Sequence, residues 1–288
     1  MRIMITGAYG QLGYALSKRL AENHDVIRTG SNIPKYEQGI KLNILNQVYM
    51  SEVIKSTLPD LIINLAAMTN VDGCEKNPDA AREVNIAGVQ HLCDTFNGKI
   101  IHLSTDYVFD GKSGPYSEDD DVNPINIYGE TKLASERILM DNNSDNLVIR
   151  ANVLYDESPF TNASFLNWVI SSLRAEKAIS VVDDQSNNPT WTSSISDIIS
   201  LCIDNSVNGI MHWGDADYLT RIDFANKIAK KYELSSALIK PVSTKSFSQI
   251  ASRPLKSGLK SDKLINLLNV VPPTIDECLD AILEEKIK

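Results

Sequence analysis

Between Ser104 and Lys132 the chain places a hydroxyl (Thr105), a phenol (Tyr128) and an amine (Lys132), within Ser-Thr-Asp-Tyr-Val-Phe-Asp-Gly and Asn-Ile-Tyr-Gly-Glu-Thr-Lys. Reduction of a ketone by hydride needs a group that polarises the carbonyl, a proton donor and a place for a hydride carrier. Thr105 and Tyr128 suit the first two tasks, because either hydroxyl can donate to a carbonyl oxygen. Tyr128 and Lys132 stand four residues apart in a segment of helical periodicity, so they share one helix face. A free phenol titrates at about pH 10. A neighbouring ammonium favours the phenolate and makes the group a better-matched acid near neutrality. The same ammonium can hydrogen-bond the ribose of a nicotinamide nucleotide. Tyr-x-x-x-Lys recurs by chance, so the pair counts only if the rest of the chain delivers a dinucleotide to it.

The chain before it supplies that context. Arg2–Thr6 reads as a short strand that passes directly into Gly7-Ala-Tyr-Gly10-Gln-Leu-Gly13, and Leu12, Ala15, Leu16 and Leu20 then recur at helical spacing. Strand, glycine turn and helix suit a pyrophosphate: the glycines let the backbone approach, and the helix N-terminus offers free N–H groups and partial positive charge. The spacing is G-x-x-G-x-x-G rather than the commoner G-x-G-x-x-G. A second strand is expected at His24 to Arg28, and the following Thr-Gly-Ser-Asn holds no carboxylate for a ribose 2′-hydroxyl. An arginine among small hydroxyls suits a 2′-phosphate, which favours NADPH over NADH. The alternative for Arg28 is a solvated strand-end residue.

Further strands are expected at 41–43, 61–67 and 99–104, with helices at 48–57 and 79–96 between them. This alternation predicts an α/β fold, a Rossmann-type doubly wound parallel sheet with its ligand at the carboxyl ends of the strands. Small residues such as Ala66 and Ala67 at a strand end allow a flat ligand against the backbone. Asn85 is either a backbone-satisfied helix residue or a support for the site. His102 reads as a satisfied core histidine rather than a base. Beyond Tyr155, helices are expected at 165–173, 195–203, 221–232 and 275–287, with strands at 179–182 and 209–213, the latter returning to the main sheet. Trp191 and Trp213 read as packing residues. Two interleaved regions follow, 1–155 for the dinucleotide and 156–288 for a substrate, with an approximate boundary.

Composition narrows the class. The chain has 288 residues, 43% hydrophobic and 23% charged, and a net charge of −9. It is long enough to bury a sizeable core. The acidic balance argues against a nucleic-acid or anionic-membrane partner, and Glu118–Asp121 reads as a solvated acidic face. Apolar runs are too short for a membrane span and no signal-peptide pattern is present, so a cytoplasmic protein is expected. Cys74, Cys93, Cys202 and Cys278 lie far apart, which suggests neither disulfides nor a metal site.

Gly7-x-x-Gly10-x-x-Gly13, Ser104-Thr-Asp-Tyr-Val-Phe and Tyr128-x-x-x-Lys132 resemble the extended short-chain dehydrogenase/reductase superfamily, and within it the dTDP-4-dehydrorhamnose reductase family. Asp183-Asp-Gln-Ser-Asn-Asn-Pro-Thr190 and Ala251-Ser-Arg-Pro-Leu255 are similar to that family's later landmarks, so the resemblance covers nearly the whole chain. It implies NADPH-dependent reduction of the C4 ketone of a nucleotide-diphosphate 4-keto-6-deoxy sugar, in deoxysugar and cell-surface polysaccharide biosynthesis. It makes Tyr128 the catalytic acid, Lys132 its partner and Thr105 the group that tunes them. Gly10, Gln11 and Leu12 would line the cofactor phosphates, Asn43 and Ile44 the adenine, and Ala66 and Ala67 the nicotinamide. Thr105 and Asp106 would touch the sugar. Arg253 would meet a nucleotide phosphate or else form a structural salt bridge, and a homodimer is in keeping with the family.

Two departures bear on the sugar. Val153 stands where the rhamnose enzymes carry a tryptophan, and Tyr155-Asp156 replaces Tyr-Gly before a diverged Ser158–Ala163. Asp106-Tyr-Val-Phe-Asp-Gly and His212-Trp-Gly also resemble the β subunit of methionine adenosyltransferase. That resemblance implies the alternative of a non-catalytic, NADP-binding regulatory subunit.

Overall fold

Short apolar, β-branched runs build the centre of the molecule: β1 (Arg2–Thr6), β2 (Asp25–Gly30), β3 (Ile40–Lys41), β4 (Leu61–Asn64), β5 (Lys99–Thr105), β6 (Leu147–Ala151) and the strand Gly209–Trp213. In the computed structural model, which describes residues 1–157, 164–247 and 249–286, they form one seven-stranded sheet. Its order is β3-β2-β1-β4-β5-β6 followed by Gly209–Trp213, and every pairing is parallel. The order turns back between β1 and β4, and open α/β sheets bind their ligands at such a switch point, beyond the carboxyl strand ends.

Helices cover both faces, so the central strands are buried on both sides. On one face α1 (Gln11–Leu20) and the helix Thr192–Asp204 pack Leu12, Leu16, Ile195 and Ile199 against Ile3, Ile5 and Ile63. On the other, α2 (Gln47–Thr57) and the helices Gly88–Thr95 and Ile127–Asn142 bring Met50, Leu92 and Leu139 onto Met4, Ile62 and Ile100. A second core gathers Tyr155 of the short strand Leu154–Tyr155 with Leu166, Ile170, Phe224, Ile228 and Leu279 from the helices Phe165–Arg174, Arg221–Lys231 and Ile275–Glu285. A parallel strand pair, Ile179–Val182 with Ile239–Val242, lies beside it. The later half of the chain thus contributes a strand and a helix to the first core as well as building the second.

Several elements differ from the sequence expectation. The second strand extends to Gly30, and β4 stops at Asn64, leaving 65–70 outside the sheet. The expected helix 79–96 is broken into Pro78–Arg82, a wide π turn Glu83–Ala87 and Gly88–Thr95, and a helix Val71–Lys76 precedes it. A π turn inserts one extra residue per turn, which helical periodicity does not display. Of the acidic run, Asp119, Asp120 and Asp121 are exposed as expected, while Glu118 is half-buried and its Oε1 accepts from the backbone N–H of His212 (2.9 Å). The diverged segment Ser158–Ala163 and the last residue of the expected 275–287 helix lie outside the described residues.

Candidate active site

The turn after β1 is held open by its glycines. Gly7 has φ +69°, and a Cβ there would lie 2.9 Å from the Ala66 nitrogen; a Cβ on Gly13 would lie 2.3 Å from the Gly7 oxygen. Gly10 begins α1 without a side-chain cap, and the first turn carries no acidic residue. The leading N–H groups of the helix are therefore left for an anion. They open into a cleft of about 860 Å³ at the carboxyl ends of the strands. Gly7, Gly10, Gln11, Leu12 and Gly13 form its floor, Asn43 and Ile44 one flank, and Ala66, Ala67, Thr105 and Tyr128 the other. Gln11 Nε2 is buried without a hydrogen-bond partner. Glycine cradle, uncapped helix end and orphaned amide together fit the pyrophosphate of a dinucleotide.

Arg28 is not a free cation beside this cleft. Its Nη2 donates to Glu37 Oε2 (2.5 Å), and the guanidinium lies 4.7 Å from the centre of the Tyr9 ring. No carboxylate occupies residues 28–32, yet one arrives from the β2–β3 loop, where sequence distance conceals it. Gly30, Ser31 and Asn32 line the cleft at this strand end instead.

The chemical end lies across β5. Thr105 caps the turn Asp106–Val108, and its hydroxyl is hydrogen-bonded with the Tyr128 phenol. Tyr107 meets the Tyr128 ring edge-on at 5.8 Å between centres. Burial pushes the phenol above its ordinary range, and the Thr105 hydrogen bond opposes that shift. The expected direct influence of Lys132 on the phenol is corrected. Lys132 Nζ turns into the sheet, donating to Leu103 O (2.7 Å) and standing 2.8 Å from His102 Nε2. Burial pushes the amine down to about 7, and Glu136 opposes this. His102 is buried and satisfied, as expected of a core histidine, but one of its partners is the lysine of the site.

Neighbouring elements hold these groups in place. Asn126 caps the helix Ile127–Asn142 by accepting from Gly129 N (2.8 Å), and its Nδ2 donates to Ser252 O (2.9 Å). Asn85, in the π turn, accepts from Met68 N (2.8 Å) and donates to Thr131 Oγ1 (3.0 Å), tying the β4 loop to the same helix. Asn85 thus satisfies backbone groups of Met68 and also braces the helix that bears Tyr128 and Lys132. Beneath the site, Glu136 receives Ser104 Oγ and a buried ion pair from Arg150 (2.7 Å). The carboxyl of Asp106 is almost fully buried with Oδ2 unpartnered, and burial pushes it up to about 6. Arg253 is bound to Asp72 (2.8 Å) and to Ala251 O (2.9 Å), and does not line the cleft. The landmark Asn188 is consumed by structure: its amide joins Asn152, Asp215 and both the N–H and carbonyl of Leu259. Val153 lines the cleft at φ +37°, an unusual conformation for a β-branched residue.

Residues 1–287 match the RmlD substrate binding domain family. The chain is 31% identical to the dTDP-4-dehydrorhamnose reductase of Aggregatibacter actinomycetemcomitans over 94% of each protein. It is also 31% identical to methionine adenosyltransferase 2 subunit beta of Bos taurus, over 92% of this chain and 82% of that one. The crystal structure of dTDP-4-dehydrorhamnose reductase from Bacillus anthracis, in complex with NADP, superposes with a TM-score of 0.90 at 30% identity, covering 99% of both chains. With its glycine cradle, its Tyr128 and Lys132 and this full-length match, the chain belongs to the RmlD substrate binding domain family.

Proposed function

We propose that the protein is an NADPH-dependent reductase of the C4 ketone of a nucleotide-diphosphate 4-keto-6-deoxy sugar. The observation that carries the reading is the opening of Thr105 and Tyr128 onto the same cleft as the uncapped, glycine-cradled start of α1. A relative named as a reductase, and a structural neighbour holding NADP, support it. A bound nicotinamide supplies the hydride. Tyr128 donates its proton to the carbonyl oxygen while Thr105 donates a hydrogen bond to the same atom, and burial keeps the phenol protonated until that moment. As an ammonium, Lys132, held by β5, has a third N–H beyond those directed at Leu103 O and His102 Nε2, which suits a ribose hydroxyl. Residues 1–155 hold the cofactor, and the sugar nucleotide lies between them and 156–288. Asp106, next to Thr105, is assigned to the sugar although it does not itself line the cleft, and Arg253, steadied by Asp72, has further N–H groups for a phosphate.

Absorbance of NADPH in the presence of a panel of nucleotide 4-keto sugars tests the reading, beside Tyr128→Phe. Turnover by the wild type is expected, reduced at least about 100-fold in the variant while NADPH binding survives. The adenosyltransferase-subunit relative supports a second reading. NADPH binding with no turnover of any sugar would favour that regulatory subunit.

A further inference from the structure

Five buried side chains connect the first strand to the amine of Lys132. Thr6 Oγ1 donates to Asn64 Oδ1 (2.5 Å), and the Nδ2 end of that amide faces His102 Nδ1 (3.0 Å). His102 Nε2 faces both Lys132 Nζ (2.8 Å) and Ser135 Oγ (3.1 Å). All five residues are at most 2% exposed. Ser135 gives its own proton to Lys132 O (2.7 Å), so it accepts from His102 when Nε2 carries a proton and makes no bond to Nε2 when that nitrogen is bare.

Donor and acceptor counting then ties the ring to the amine. With the Asn64 amide donating to Nδ1, a neutral imidazole carries its proton on Nε2; whether that proton goes to Ser135 Oγ or toward Nζ, the nitrogen has no lone pair left for an ammonium 2.8 Å away. The amine facing it is neutral in that state. Turning the amide end for end lets Nδ1–H donate to Oδ1, leaves Nε2 bare, and makes it an acceptor for an ammonium. The two states differ by one proton, carried by Lys132; His102 has one ring proton in each.

We propose that His102 and Asn64 are positioning residues that set the charge of Lys132, the Nδ1–H tautomer anchoring an ammonium and the Nε2–H tautomer a neutral amine. Burial holds His102 well below its ordinary value, so its ring stays neutral, and places the amine where one hydrogen-bond partner decides its charge. Of the other groups around the pair, Glu136 favours the ammonium but is engaged by Arg150 and Ser104. Tyr128 stands one turn away on the same helix. β1 and β4 present only the neutral Thr6 and Asn64, β5 adds the Leu103 carbonyl, and the π turn presents the neutral Asn85 to Thr131.

The test reads the tautomer directly, by ¹⁵N NMR of the His102 ring in the whole protein across neutral and alkaline pH. The expected result is a change from Nδ1–H to Nε2–H as the pH rises. A single tautomer throughout overturns the proposal, whatever the cleft binds. A second readout, NADPH affinity by fluorescence against pH, rests on the function proposed above. Affinity should fall as Lys132 loses its charge. In His102→Leu the fall should move down by about one pH unit, the worth of one charged hydrogen bond. In Asn64→Asp, whose carboxylate can only accept from Nδ1, it should move up, and His102→Gln should follow the wild type. Thermal unfolding establishes that each variant is folded. Unchanged pH dependence in folded His102→Leu and Asn64→Asp contradicts the proposal. A wild type that binds no NADPH sinks the reading of the cleft, and the ¹⁵N measurement still decides this one.

Discussion

Tyr128 is held where its proton is secure. Its phenol is raised by burial and steadied by Thr105, while Lys132 is held from beneath by the Leu103 carbonyl of β5. The placing of Tyr128 beside Thr105 at the cleft was readable from its i, i+4 spacing to Lys132 and from the Thr105 that ends the neighbouring strand. The partners of Lys132 and Arg28 were not, because both contacts are made across loops and strands. Lys132 meets His102 over a separation of 30 residues, and Arg28 meets Glu37 around the β2–β3 loop. That second pair gives a prediction about the cofactor. Glu37→Gln keeps the shape but releases the Arg28 guanidinium, so NADPH should bind about three- to tenfold tighter with NADH nearly unchanged, as for one added charged contact to phosphate. Titration of both nucleotides by fluorescence checks it, and an equal change for the two would contradict it.

At the scale of elements, the helix Ile127–Asn142 carries the site, and its start is fixed by one side chain. Asn126 is buried, caps the helix and holds the Ser252 carbonyl of the loop that bears Arg253. Asn126→Ala should cost about 1–2 kcal/mol, since it removes a cap and the hydrogen bond to the Ser252 carbonyl. Urea unfolding measures this, and a midpoint equal to wild type would refute the role. The bounds of α2 were legible in the sequence to within a residue, and helical periodicity was readable for α1 and this helix. The stretch 71–95 was not. Its π turn is set by tertiary packing: Asn85 must reach Met68 and Thr131, and Gly88 sits so close to Ile44 that a Cβ would lie 2.5 Å from that side chain.

For the whole molecule, Asp215 joins the two cores. Its carboxyl accepts from Trp191 N (2.7 Å) and Ser194 Oγ (2.6 Å) and faces Cys278 Sγ (3.8 Å) of the C-terminal helix. Burial pushes this carboxyl up to about 7. The folded state thus holds the proton more tightly than the unfolded chain, whose carboxyl titrates at about 4. Stability from this group is complete below the unfolded value and is lost as the pH rises through about 7. Asp215→Asn removes the titration, so its unfolding free energy relative to wild type should climb between about pH 4 and about pH 7. Urea titrations at a series of pH values test this, and parallel curves would refute it. The parallel sheet, the glycine cradle and the return of Gly209–Trp213 to the sheet were all readable from pattern. The mutual burial of two cores around one acid was not, because it depends on residues scattered from 191 to 278.

In the proposed reaction hydride leaves a nicotinamide held on α1 and arrives at a sugar carbon while Tyr128 protonates the oxygen. NADPH deuterated at C4 of its nicotinamide, incubated with the protein and a nucleotide-diphosphate 4-keto-6-deoxy sugar, tests it directly by mass spectrometry and NMR of the product. The expected result is one deuterium on sugar C4, from one face of the nicotinamide only, and none with Tyr128→Phe. Reduced sugar without deuterium at C4, or no reduced sugar from protein that binds the cofactor, would contradict it.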